Sequence, residues 1–196
     1  MRDIVNYSEK YAEHSFEEYK VFYRRRKILE IIDKVHPRSI LEIGCGSEPL
    51  FLYVNNVDFT VVEASPNFYE NAVKLAKDRN ETITIINGFF EEVASKLSNQ
   101  YDMIICASLL HEVEQPSELL GAIVGACNEN TIVNIIVPNA NSMHRLLGKE
   151  MGILADVHDM TRNNKDFQQN SVFDKKTLNK IVMESGMEIL DRGGHL

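Results

Sequence analysis

Leu41-Glu42-Ile43-Gly44-Cys45-Gly46-Ser47-Glu48-Pro49-Leu50 is the stretch on which the fold turns. A short apolar run, Ser39–Ile43, stops at two glycines one residue apart. Glycine reaches backbone conformations closed to other residues and lets another molecule approach the main chain. In open α/β sheets the ligand crevice opens at such a strand-to-helix turn. Four more runs rich in Ile and Val follow: Asp58–Glu63, Thr82–Asn87, Tyr101–Ala107 and Thr131–Val137. Each is almost continuously apolar, as a strand covered on both faces should be. Amphipathic helical patterns lie between them at Pro66–Arg79, Phe90–Leu97 and Ser117–Cys127. Alternation of this kind predicts an α/β fold, a Rossmann-like, doubly wound and mostly parallel sheet. Upstream, Tyr7–Val35 reads as helix in two pieces. Downstream come a helix around Ser142–Lys149, a polar loop Asp156–Asn170, a helix Lys175–Ser185 and a strand Met187–Asp191. Asp174 is the expected N-cap of that last helix and Gly186 its stop.

The totals bound what this fold serves. With 196 residues, 44% hydrophobic and 26% charged, the chain suits one domain. No apolar run approaches the roughly 20 residues of a membrane span, and the N-terminus lacks a signal-peptide h-region. Cys45, Cys106 and Cys127 are widely spaced, with no C-x-x-C pair, so neither a disulfide framework nor a metal site is expected. The expectation is a cytoplasmic protein, away from membranes, as a monomer or homodimer. A net charge of -8 repels a phosphate backbone, which argues against nucleic acid as partner. The one dense basic run, Arg24-Arg25-Arg26-Lys27, reads as the solvated face of a helix.

Two acids sharpen the reading of the glycine turn. Glu42 immediately precedes it, where a carboxylate could hold an ammonium group. Glu63 ends the next strand, roughly 20 residues on, the position that takes ribose hydroxyls in such folds. A dinucleotide fingerprint would need a third glycine where Pro49 stands. The acids Glu42 and Glu48 also repel a pyrophosphate but suit a cationic ligand.

At this point the segment resembles motif I of class I S-adenosylmethionine-dependent methyltransferases, and the later elements fall in register with that family. Val61-Val62-Glu63-Ala64-Ser65 resembles its second motif, Asn87-Gly88-Phe89-Phe90-Glu91-Glu92 its adenine-holding stretch, and Tyr101–Val113 its fourth motif. The resemblance implies S-adenosylmethionine as cofactor, with S-adenosylhomocysteine as product. It places Glu42, Gly44, Cys45, Gly46, Glu63, Ala64, Gly88, Phe89, Phe90 and Ala107 around the cofactor. Two positions depart from the family pattern. Glu48 stands where a third glycine is usual, which would strain the backbone or displace the cofactor tail. Phe89 stands where an aspartate is frequent, leaving Phe89 or Phe90 to pack on the adenine.

For the acceptor, His111 follows the fourth strand and is the best-placed of six histidines to act as base; a structural place in that loop is the competing reading. Asn139, His144, Arg145 and Arg162 follow the fifth strand, and the arginines with His158 are candidates for a cationic acceptor pocket. The resemblance further suggests residues 1–38 as a helical lid, with Tyr11 and His14 touching substrate. Residues 39–196 then form the cofactor-binding domain, with acceptor elements around 138–170. Magnesium-assisted catechol chemistry is not expected, because no paired carboxylates follow the fourth strand. The stretch through Gly148-Lys149-Glu150-Met151-Gly152 resembles methyltransferases of bacterial surface-polysaccharide and capsule phosphoramidate biosynthesis. Three expectations therefore stand: an enzyme methylating oxygen of a small anionic metabolite; one methylating a hydroxyl or carbon of a quinone or lipid-like acceptor; or a non-catalytic partner retaining the cofactor fold. A full class I sheet has a further antiparallel strand, so a sheet lacking its last strand, and a natural chain running past Leu196, are also expected.

Overall fold

Five parallel strands form where the apolar runs predict them: β1 (Ser39–Ile43), β2 (Asp58–Glu63), β3 (Ile83–Asn87), β4 (Met103–Ala107) and β5 (Ile132–Ile136). The computed structural model describes residues 17–79, 81–97 and 100–193. Strand order is β3-β2-β1-β4-β5. Ile43, the last residue of β1, pairs with Val62 on one side and Cys106 on the other. The chain thus winds outward from β1 in one direction, then crosses back to β4. The switch point, where neighbouring strand ends diverge and a crevice opens, lies between β1 and β4.

Helices cover both faces, which is why the strands are largely apolar. On one face α1 (Glu17–Val35) buries Ile28 and Ile32 with Phe51, Phe59 and Met103, and α2 (Pro66–Ala76) adds Ala72. On the other, Leu119, Leu120 and Ile123 of α4 (Pro116–Gly125) pack with Phe90, Ile104 and Leu110. Phe90 opens α3 (Phe90–Val93), which tightens at once into a 3-10 turn, Ala94–Lys96. After β5 come α5 (Met143–Glu150), α6 (Arg162–Asp166) and α7 (Lys175–Glu184). Asp174 caps α7 as expected, accepting from the Thr177 N–H. The short α6 was not foreseen inside a polar loop. It is one turn held by a capping box between Thr161 and Asn164 rather than by an apolar stripe.

One expected element is absent among the described residues. Met187–Asp191 joins no strand ladder. Met187 packs on the core while Leu190 is 72% exposed, so the alternating pattern finds one apolar seat, too little to seat a strand. β5 is accordingly an edge of the sheet. No helix among the described residues is long and apolar enough to cross a membrane.

Candidate functional site

The carboxyl ends of β1, β2 and β4 meet at the glycine turn. Gly44 and Gly46 adopt φ of +75° and +61°, the left-handed region that favours glycine. A Cβ on Gly44 would also come within 3.6 Å of the Leu109 side chain, so the turn and the loop after β4 are in contact there. Gly44 donates its N–H to the Val62 carbonyl, tying the turn to β2. Glu48, where strain was expected, does not take a positive φ.

Two buried carboxylates bracket the turn. Glu63 accepts from the Gly46 N–H (3.1 Å) through one oxygen and from the Ser65 N–H (2.8 Å) through the other. Each oxygen keeps a lone pair for a further donor, as two ribose hydroxyls would require. Glu42 accepts from the Leu50 N–H at 3.0 Å. Burial pushes its pKa up to about 8, and the Glu63 charge acts in the same direction, against the Leu50 N–H and Arg24. Burial, with both acids, also pushes the Cys45 thiol up, so Cys45 contributes shape and no nucleophile.

The residues fit a cofactor with a cationic end. An ammonium beside Glu42 would relieve the repulsion between the two acids, and binding would then ionise Glu42. The linkage sign follows from the raised pKa: the protonated carboxyl favours the folded chain below the ordinary carboxylate range, and that contribution fades as pH rises towards about 8. Affinity for S-adenosylhomocysteine is therefore expected to rise with pH between about 6 and 8, with release of about one proton at neutral pH. Calorimetry in buffers of different ionisation enthalpy reads that proton directly. Glu42→Gln should abolish both the release and the slope; a wild type that releases none would remove Glu42 from the ammonium's neighbourhood.

The fourth strand contributes Ala107 to the same wall, and then Ser108, whose φ is +59°. A non-glycine residue held there costs roughly 1 kcal/mol or more. Ser108 is fixed by its N–H to the Ile136 carbonyl and by Arg24 of α1, whose Nη1 donates to Oγ at 2.6 Å. Arg24, expected on a solvated helix face, instead faces the site. At the end of β3, Asn87 and Gly88 both bond to the Glu63 carbonyl (2.9 and 3.1 Å), with Ala64 beside them. Phe90 belongs to the core, so Phe89, half-buried at the start of α3, is the ring left at this rim.

The acceptor candidates are dispersed. His111 is 3% exposed, with Nε2 3.9 Å from Glu112 Oε1. Its carbonyl accepts from the N–H groups of Asn170 (2.9 Å) and Ser171 (3.0 Å). Asn139 uses its side chain in its own turn, accepting from the Asn141 N–H. Partial burial, with the Arg145 and Lys20 charges nearby, lowers the His144 pKa. Arg145 is turned inward at 8% exposure: Nε donates to the Val157 carbonyl (2.7 Å), Nη1 to Asn164 Oδ1 and Nη2 to the Asp159 carbonyl. The Arg162 side chain is 96% exposed, and His158 pairs with Asp156 and Asp174. The expected cationic pocket of Arg145, Arg162 and His158 is therefore not assembled, because the loop after α5 folds back and takes the Arg145 donors. Tyr11 and His14 lie outside the described residues.

A five-stranded parallel sheet with an acidic, glycine-turned cofactor crevice at its switch point defines a Rossmann-like, S-adenosylmethionine-dependent methyltransferase. The chain belongs to the methyltransferase domain family, whose profile matches residues 11–191. It is 25% identical over 187 residues to the ubiquinone biosynthesis O-methyltransferase of Rickettsia canadensis (strain McKiel), a match covering 92% of this chain and 75% of that protein. The protein of the same name from Rickettsia felis is 25% identical over 139 residues, 69% of this chain and 55% of the relative. Among solved structures, the plantazolicin methyltransferase BamL, crystallised with a triazolic desmethylPZN analog and S-adenosylhomocysteine, superposes with a TM-score of 0.58 at 14% identity. That match covers 92% of this chain and 72% of BamL, and it shows a shared fold.

Proposed function

We propose that the protein methylates an oxygen of a phenolic, quinone- or lipid-like acceptor. The observation that carries this reading is the inward commitment of Arg145, which, with Arg162 directed to solvent, leaves the expected Arg145–Arg162–His158 pocket for a phosphate or phosphoramidate unassembled. Apolar side chains stand there instead: Met143, Leu147, Met151 and Ile153 are exposed along α5 and the turn after it. The Lys20 charge on α1 is felt by His144, so α5 begins close to α1, which exposes Tyr19, Phe22 and Tyr23. Two apolar helix faces near the crevice suit an aromatic or isoprenoid acceptor. The names of the Rickettsia relatives point the same way.

Bound S-adenosylmethionine supplies a methyl group already activated by its sulfonium. The chain must therefore hold cofactor and acceptor in line, a contribution worth roughly 7–11 kcal/mol, and remove the acceptor's proton. Glu63 would hold the ribose, Glu42 the ammonium and Arg24 the carboxylate of the amino-acid tail. Ala107 and Ser108 form the wall beside the reacting oxygen. His111 takes the phenolic proton, which requires the acceptor to enter past the loop after β4.

The test is S-adenosylhomocysteine formation with two acceptor pools, one of alkylated phenols and catechols, the other of phosphate- and phosphoramidate-bearing metabolites. Turnover is expected with the first pool. Turnover confined to the second would overturn the reading.

A further inference from the structure

The cleft between α1 and the glycine turn retains a cavity of about 40 Å³, walled by Val21, Arg24 and Ile28 on one side and Glu42, Gly44 and Ala107 on the other. α1 is thus one wall of the cleft that the glycine turn lines, so a motion of α1 widens or narrows it. Ile28 and Ile32 anchor the carboxyl half of α1 in the core, so the half that can swing carries Arg24 and Arg25. Beside the Arg24–Ser108 hydrogen bond, a cluster at the rim holds that half down. Arg25 forms an ion pair with Glu48, its guanidinium lies 4.1 Å from the centre of the Tyr53 ring, and the Tyr53 hydroxyl donates to Glu48 Oε2 at 3.3 Å.

We propose that Glu48, with Arg25 and Tyr53, is a latch that positions α1 over the cofactor cleft and sets the rate of product release. Glu48 occupies the place in the loop where a third glycine is usual, and a glycine there could make no such contact. The acid thus exchanges loop compactness for a grip on the helix. The inference rests on the reading of the 44–50 loop as the cofactor cradle.

The experiment follows S-adenosylhomocysteine release by stopped flow in the full chain. Glu48→Gln and Arg25→Gln should each speed release roughly fivefold, as loss of a half-buried ion pair and a cation–π contact implies. The double variant should be no faster than either single, since both open one latch. Added salt should speed release in the wild type and leave both variants unchanged. Amide exchange in α1 should quicken in Glu48→Gln while β1 and β4 stay protected. Release in Glu48→Gln at the wild-type rate, or additive effects in the double variant, would overturn the latch. Gly46→Val tests the cradle separately: it should abolish binding, and undiminished binding would remove the cradle and the latch with it.

Discussion

His111→Gln is expected to lower kcat on a phenolic acceptor by roughly 10²–10⁴-fold, with binding of S-adenosylhomocysteine unchanged. A phenol with a pKa near 10 is almost wholly protonated at pH 7, and its neutral oxygen is a poor nucleophile. An imidazole is the side chain whose ordinary titration lies closest to neutrality, which suits it to take that proton. His111 sits just beyond β4, next to the Glu112 carboxylate, at 3% exposure. Glutamine keeps the bulk and a hydrogen-bonding end but cannot accept a proton. The carbonyl of residue 111 that holds Asn170 and Ser171 belongs to the main chain and survives the replacement. The pH profile separates a base from a strut. Loss of the base should leave a rate that climbs with pH as the acceptor ionises by itself. A lower Tm with an unchanged profile would assign His111 to the structure of the loop alone.

The strands were legible because their signal is local. β1 and β2 carry the expected bounds since a parallel strand covered on both faces shows up as a short run rich in Ile, Leu and Val between polar flanks. The glycine turn, Glu42 and Glu63 were legible for a related reason: backbone conformation and strand-end position follow from the chain itself. Met187–Asp191 misled because alternation alone does not make a strand. A ladder and a covered face are also required, and Leu190 has neither.

Side-chain direction on helices was harder to read. In Arg24-Arg25-Arg26-Lys27 the four charges divide: Arg24 reaches Ser108, Arg25 reaches Glu48, and Arg26 and Lys27 pair with Glu30 on the outer face. The signal was present in the spacing. Arg24 and Arg25 lie four and three residues before Ile28, which is buried, so they share its face. A dense basic run hides such a pattern, because composition suggests solvent before periodicity is consulted. For Arg145 no local signal existed. Its partners arrive 12 to 19 residues later in the chain, in a loop whose path depends on α6 and its capping box.

That non-local clamp carries the largest expected loss of stability. Arg145→Met keeps the length and apolar stem of the side chain but removes every donor. The carbonyls of Val157 and Asp159 and the Oδ1 of Asn164 then lose a charged partner in a buried setting. Asn164 Oδ1 keeps the Thr161 hydroxyl, and the Asp159 carbonyl lies nearer to solvent, so the cost is smaller than three unsatisfied groups would imply. On the order of 3 kcal/mol is expected, a fall in Tm of roughly 6–12 °C for a chain of this size. The loss should be uneven. Amide exchange should rise first across 155–167, where the clamp acts, and then in α7, because His158 pairs with the α7 cap residue Asp174. Were Arg145 instead a substrate cation, the same variant would melt near the wild-type temperature while KM for an anionic acceptor rose. A calorimetric scan beside a KM measurement decides between the two.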